Sequence, residues 1–217
     1  MRLTKYIGVW FFLMTGLSQA AFAQFDNASV IFETNATDGD FEVVFKMKGD
    51  DEGIETLLVL APNGRVMVNS STVGGMRQYV YETPEPADIT EITSVYPEGE
   101  YVFFATTPSG TFYSAEAILS HTLPATTEFM MPAPEATGVA RDVTLSWGAV
   151  PGIKSYIIGI GNDDLEEVFE ITVSAAVTSL QVPGGFLMAN TEYEFEIGTV
   201  GEDGNVSFIE TSFTTGN

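Results

Sequence analysis

Val143, Leu145 and Trp147 alternate with Thr144 and Ser146, so one face of an extended segment is apolar and the other polar. A period of two marks a strand with one buried face. Tyr156, Ile158 and Ile160 alternate with Ile157, Gly159 and Gly161, which predicts a strand apolar on both sides near its middle. Tyr193, Phe195 and Ile197 alternate with Glu192, Glu194 and Glu196, apolar on one face and acidic on the other. Leu187 and Tyr193 bracket a turn containing Asn190 and Thr191. A tyrosine at such a corner can anchor its hydroxyl on the backbone a few residues upstream.

The first half repeats the period of two with different residues. Strands are expected over residues 29–34, 41–48, 56–61, 65–70, 76–82, 101–107 and 111–123. In the second of these, Phe41, Val43, Phe45 and Met47 form the apolar set. Turn chemistry separates the strands: NATDGD at 35–40, GDDEG at 49–53, Pro-Asn-Gly after Ala61, Pro-Glu-Gly after Tyr96 and Pro-Ser-Gly after Thr107. A Pro-rich acidic break over 83–88 leads into a single expected helical turn, with Asp88 as cap and Glu91 three residues on. Strands at short spacing with no long helical period predict an all-β sandwich fold.

Residues 132–215 resemble a fibronectin type III domain. Trp147 matches the early-strand tryptophan of that family, and Leu187 and Tyr193, six apart with Thr191 between, match its leucine and tyrosine corner. The chain departs from the family at the corner, where Ala189 and Asn190 stand in place of Pro and Gly, and the loop that carries Arg-Gly-Asp in some members reads GEDGNVS. The resemblance implies a sandwich fold and little about function, because such sandwiches host many unrelated roles. Around Tyr101 the order of parts mirrors that around Tyr193: turn, tyrosine, strand, Gly-containing hairpin, last strand. The first half is therefore read as a second immunoglobulin-like module. The expected architecture is all-β, two tandem immunoglobulin-like β-sandwiches, over residues 24–123 and 132–217, with a linker at 124–131. Three prolines make the segment 124–134 extended and semi-rigid, and Phe129, Met130 and Met131 are expected to pack at the junction of the modules.

Arg2 and Lys5 precede an apolar run over 6–17, and Ala21 and Ala23 occupy small-residue positions before Gln24. This predicts a secretory signal over 1–23, cleaved before Gln24. An uncleaved anchor is the alternative, but the apolar run is short for a bilayer span. Secreted or periplasmic localisation follows as an expectation. The whole layout resembles bacterial secreted proteins that carry a fibronectin type III domain.

Charge narrows the partners. The chain carries 30 acidic residues against 8 basic, a formal net of −22, spread over both halves. Nucleic acid is disfavoured as a partner because phosphate binding needs Lys and Arg, and so is an anionic membrane surface. No cysteine is present, which removes disulfides, thiolate nucleophiles and cysteine metal sites. No cofactor is expected.

Candidate chemistry is sparse. His121 is the only histidine and falls on the predicted last strand of the first module. No Gly-x-Ser-x-Gly elbow and no His pair accompany it, so neither a Ser-His-Asp site nor a zinc site is marked. A paired-carboxylate hydrolase site has no marked pair among so many acids. Hard cations want several turn oxygens. Weak calcium candidates are Asp38 with Asp40, Asp50 with Asp51 and Glu52, and Asn162 with Asp163, Asp164 and Glu166, none with helix–loop–helix spacing. Arg77, Tyr79 and Tyr81 are expected to share one strand face and are weak candidates for a sugar or peptide platform. The leading expectation is a non-enzymatic binding or spacer module with a protein or cell-envelope partner. A carbohydrate-binding or calcium-dependent adhesion module, with a possible glycan ligand, is the alternative, and a small hydrolase comes last.

Overall fold

A computed structural model describes residues 23–24, 28–162 and 167–217. The expected signal segment, apart from Ala23, lies outside the described residues, as do Asp163 and Asp164. Two separate hydrophobic cores organise the rest.

In chain order the first sandwich comprises β1 (Ala23–Gln24), β2 (Ala28–Asn35), β3 (Asp40–Lys48), β4 (Ile54–Leu60), β5 (Val66–Met76), β6 (Gln78–Glu82), the helix α1 (Ile89–Val95), β7 (Gly99–Thr106) and β8 (Phe112–Leu119). One sheet runs β1-β8-β7-β4-β5, and β2, β3 and β6 lie opposite it. The alternation in β3 sends Val43, Phe45 and Met47 inward against Leu57, Val59 and Phe103. Pro-Asn-Gly closes the β4–β5 hairpin, with Gly64 at φ 79°. Asp88 caps α1 by accepting from the Thr90 backbone N–H at 2.8 Å, and that bond and the Thr90 hydroxyl hold its carboxyl below the usual carboxylate range. Tyr101, fully buried, donates its hydroxyl to the Pro97 carbonyl at 3.0 Å.

The second sandwich comprises β9 (Phe129–Met131), β10 (Ala136–Val139), β11 (Thr144–Trp147), β12 (Ser155–Asn162), β13 (Glu167–Ser174), β14 (Ser179–Gln181), β15 (Glu192–Val200) and β16 (Val206–Thr215). A three-stranded sheet β14-β11-β9 faces β13-β12-β15-β16. Trp147 (1% exposed) sits edge-on to Tyr156, their ring centroids 5.6 Å apart. The Tyr193 hydroxyl accepts from the Met188 backbone N–H at 2.8 Å. Asn190 takes φ 53°, a left-handed conformation that asparagine tolerates better than most side chains, and so fills the corner where the family has glycine. The alternation read from the sequence thus yields two sandwiches, each with a buried corner tyrosine.

Three local expectations need correction. Strand β8 stops at Leu119, so His121 lies beyond the strand; Glu98 Oε1 accepts its backbone N–H at 2.7 Å and the Tyr96 carbonyl its ring nitrogen at 2.8 Å. Phe129–Met131 are not linker but strand β9: they pair with β11, and Phe129 packs on Phe195 across the second core. Residues 76–82 are not one strand, because the chain bends at Arg77 between β5 and β6.

The larger surprise is how the sandwiches join. Strand β2 pairs in parallel with β16, Val206 to Glu33, Ser207 to Thr34 and Phe208 to Asn35. The sheet therefore runs unbroken through both sandwiches in the order β13-β12-β15-β16-β2-β3-β6, with β10 on the remainder of the β16 edge. A parallel pair between positions about 170 residues apart leaves no trace in local periodicity.

Candidate functional site at the junction of the sandwiches

Asn205, 2% exposed, is the centre of the joint. Its Oδ1 accepts the Phe32 backbone N–H at 2.8 Å, and its Nδ2 donates to the Ser120 and Thr122 carbonyls at 3.0 and 2.8 Å. One side chain of the second sandwich thus satisfies three backbone groups of the first, which a buried polar group must do to offset its desolvation. Around it, the Ala36 N–H donates to the Phe208 carbonyl, the Ser120 hydroxyl donates to Asp203 Oδ2 at 2.6 Å, and Ser207 and Thr199 hydroxyls donate to the Pro124 and Ala125 carbonyls. The segment after β8 is held against the second sandwich by these bonds.

The outer face of the shared sheet is acidic. Strand alternation sends one set of residues into the cores and the other outward. The outward set includes Glu33 on β2, Glu42 on β3, Glu196 on β15 and Glu210 on β16. With Asp38, Asp40 and Glu85 they line a cavity of about 400 Å³ over the junction. Asn35 bridges it, its Nδ2 donating to Glu210 Oε1 at 2.6 Å, and the Glu210 N–H donates to the Thr37 hydroxyl at 2.8 Å. Lys46, outward on β3, pairs with Glu33 at 3.6 Å.

Crowding and burial shift these carboxyls upward. Burial, then the charges of Glu33, Glu82 and Glu85, pushes Glu42 up to about 7, and its Oε2 is buried with no hydrogen-bond partner among the described residues. Burial, then Glu210, Glu170, Glu33 and Glu194, pushes Glu196 up to about 7. Burial also raises Glu33, though Lys46 opposes it, and raises Glu210, though the Asn35 amide opposes it. Burial and like charge both disfavour the ionised form.

A pH dependence follows. The folded chain holds protons on Glu42 and Glu196 that the unfolded chain releases above its ordinary carboxylate range near 4.5. Between pH 4.5 and about 7 the native state therefore binds more protons than the unfolded state, and stability falls as pH rises through that window. Screening by solvent reduces each contribution to about 1–2 kcal/mol. Thermal melts should give a higher Tm at pH 5.5 than at pH 8, and Glu42→Gln with Glu196→Gln should flatten the difference. A Tm that rises with pH across this range would contradict the assignment.

The sequence-marked residues fare differently. Asp38 and Asp40 join the junction cavity, which the sequence did not tie to Glu33, Glu42, Glu196 or Glu210. Asp50 is engaged in its own loop: Oδ1 accepts the Glu52 and Gly53 N–H groups, and the Tyr113 hydroxyl donates to Oδ2. Arg77 donates to the Asp50 carbonyl at 3.1 Å and lies 4.0 Å from the Asp51 carboxylate. Tyr79 packs against the first core, and Tyr81 stacks on Phe45 with centroids 6.1 Å apart. Burial and the Tyr81 side chain push the Tyr96 hydroxyl up to about 12. The His121 ring packs on Phe32 at 5.1 Å. Among the described residues no three His, Asp or Glu side chains converge to hold a metal ion, and no helix is long and apolar enough to cross a bilayer.

Strand order and the two hydrophobic cores make this chain an all-β protein built of sandwich-like sheets. No protein-family model matches the chain, and no curated protein matches it. Solved structures do resemble it. A two fibronectin type III domain segment from chicken tenascin is 13% identical, covering 88% of this chain and 100% of that one, at a TM-score of 0.34. The FN1–FN3 domains of chicken CNTN1 are 11% identical over 90% of this chain and 66% of theirs, at 0.31. A tetra-tandem repeat in the extending region of a large adhesion protein is 15% identical over 87% of this chain and 49% of its own, at 0.31.

Proposed function

We propose that this protein is a non-catalytic binding or spacer module that works outside the cytoplasm, with a protein or cell-envelope partner. The observation that carries the reading is the parallel β2–β16 ladder, which joins one sheet of each sandwich into a single elongated sheet with an acidic outer face. A rigid joint suits a spacer, and a broad face suits recognition better than a small pocket does. The secretion signal expected over 1–23 supports the location. Affinity capture from the native envelope, with the exported protein as bait and with and without calcium, tests the reading. Recovery of a specific partner is expected. Hydrolysis of glycan or peptide substrates without a stable partner would overturn it.

The acidic loops enter as repulsion. Salt screens exposed like charges over about 10 Å at 0.1 M, so the Tm should rise between low salt and about 0.5 M sodium chloride. Calcium and magnesium at equal ionic strength should raise it equally. A calcium-specific rise, abolished by Asp38→Asn with Asp40→Asn or by Asp163→Asn with Asp164→Asn, would favour calcium-dependent adhesion instead, because calcium accepts irregular oxygen shells.

A further inference from the structure

Beside the acidic cavity lies a second, of about 360 Å³, which shares Glu33, Glu196 and Phe208 with it. Together they make a groove across the outer face of the shared sheet, over β12, β15, β16 and β2. In the second cavity the floor is apolar: Ile31, Ile157, Val200 and Phe208 all face outward and are only half-buried. Phe208 lies flat because its neighbour across the ladder is Gly198, where a Cβ would sit 2.5 Å from the phenyl ring. The register then orders the face into lateral rows. Ile157, Gly198 and Phe208 form an apolar row. Glu170, Gly159, Glu196 and Glu210 form an acidic row beside it, and Val206, Glu33 and Glu42 flank the other side. Among the described residues Lys46 is the one cation lining either cavity.

We propose that this groove binds an extended segment of a partner protein in which arginine or lysine stands at every second position, so that all its basic side chains face the groove. The inference rests on the binding-module reading and names the chemistry of its partner. Long basic side chains lay their hydrocarbon stems on an apolar floor and carry their charged heads to the rim. The rim offers carboxylates on both sides of the row, and arginine pairs with carboxylates in a fixed fork. Ile31, Ile157 and Phe208, each partly open to solvent, give the stems an apolar surface that a purely charged face lacks. The carboxyls are prepared for a cation in a further sense. Glu42 and Glu196, near 7 through burial and mutual repulsion, lose protons when a positive group arrives, so binding at pH 7 releases protons.

The test titrates the full chain with a fluorescent octapeptide of alternating arginine and leucine at about 0.15 M salt, where long-range attraction is screened. Saturable one-to-one binding is expected, with calorimetry in two buffers of different ionisation enthalpy reporting proton release. Glu170→Gln with Glu196→Gln should weaken binding at least about tenfold, as loss of paired interfacial charges does. Glu100→Gln with Glu116→Gln removes at least as much charge from exposed positions on the other sheet and should change affinity by less than about twofold. The groove variant relieves repulsion, so its Tm should not fall. Equal weakening by the two variants, equal affinity for an octapeptide of the same composition with its arginines in one block or for spermine, or no saturable binding would each overturn the proposal. An envelope partner captured equally by wild type and groove variant would sink the groove yet leave the binding-module reading intact; no captured partner would sink the latter.

Discussion

Trp147→Ala should destabilise the second sandwich by about 3–5 kcal/mol, the cost of emptying a large buried aromatic site. Trp147 is fully enclosed, lies edge-on to Tyr156, and donates its backbone N–H to the Thr178 carbonyl at 3.1 Å. It ends β11, the central strand of the three-stranded sheet, between β14 and β9. A cavity there removes the support under both edges, and Phe129 next to it on β9 reaches across the core to Phe195. Urea unfolding followed by circular dichroism reads the change. A loss under about 1 kcal/mol would place Trp147 outside the load of the core, since only surface substitutions are so mild.

Asn205→Ala carries the second large effect, and it acts on the joint. The Phe32 N–H and the Ser120 and Thr122 carbonyls lose their common partner. Each buried group so orphaned costs about 1–3 kcal/mol, but a water can enter the space left by the amide and pair some of them, so about 2–4 kcal/mol in total is expected. The form of the unfolding curve matters as much as its midpoint. The intact chain should unfold in one transition because the sandwiches share a sheet. The variant should separate into two, one for each core, as coupling through the joint falls below the difference between their stabilities. A variant that keeps a single transition at an unchanged midpoint would show that Asn205 does not couple the halves.

What was legible in the sequence is what local chemistry controls. Trp147 and Tyr193 stand out by period and by spacing, and both are buried as those patterns require. Asp88 before Ile89 signals a helix start, and the cap forms. Pro-Asn-Gly signals a hairpin, and the hairpin forms. Tyr101 was legible only by analogy with Tyr193; both hydroxyls bond the backbone a few residues upstream, Tyr101 donating to the Pro97 carbonyl and Tyr193 accepting from the Met188 N–H. The misses share another character. Phe129–Met131 looked like the end of a Pro-rich connection because three residues are too few for a period, and only pairing with β11 makes them a strand. Asn205 lies in GEDGNVS, which reads as an ordinary polar loop; its role depends on Phe32 and Ser120, which no local rule connects to it. The acidic groove was invisible for the same reason. Glu33, Glu42, Glu196 and Glu210 are each unremarkable outward residues on alternating strands, and only the β2–β16 pairing brings them together.

The two sandwiches are one body only while their joint holds, and amide hydrogen exchange at Phe32 reads that joint alone. The Phe32 N–H points away from β3, and its acceptor is Asn205 Oδ1 of the other sandwich. If the joint persists in solution, Phe32 exchanges as slowly as Ile197 in the middle of the sheet, through global unfolding only. If Phe32 exchanges orders of magnitude faster than Ile197, with the flanking β2 amides that pair to β3 still protected, the sandwiches part from one another in solution and the shared sheet, with its groove, does not persist.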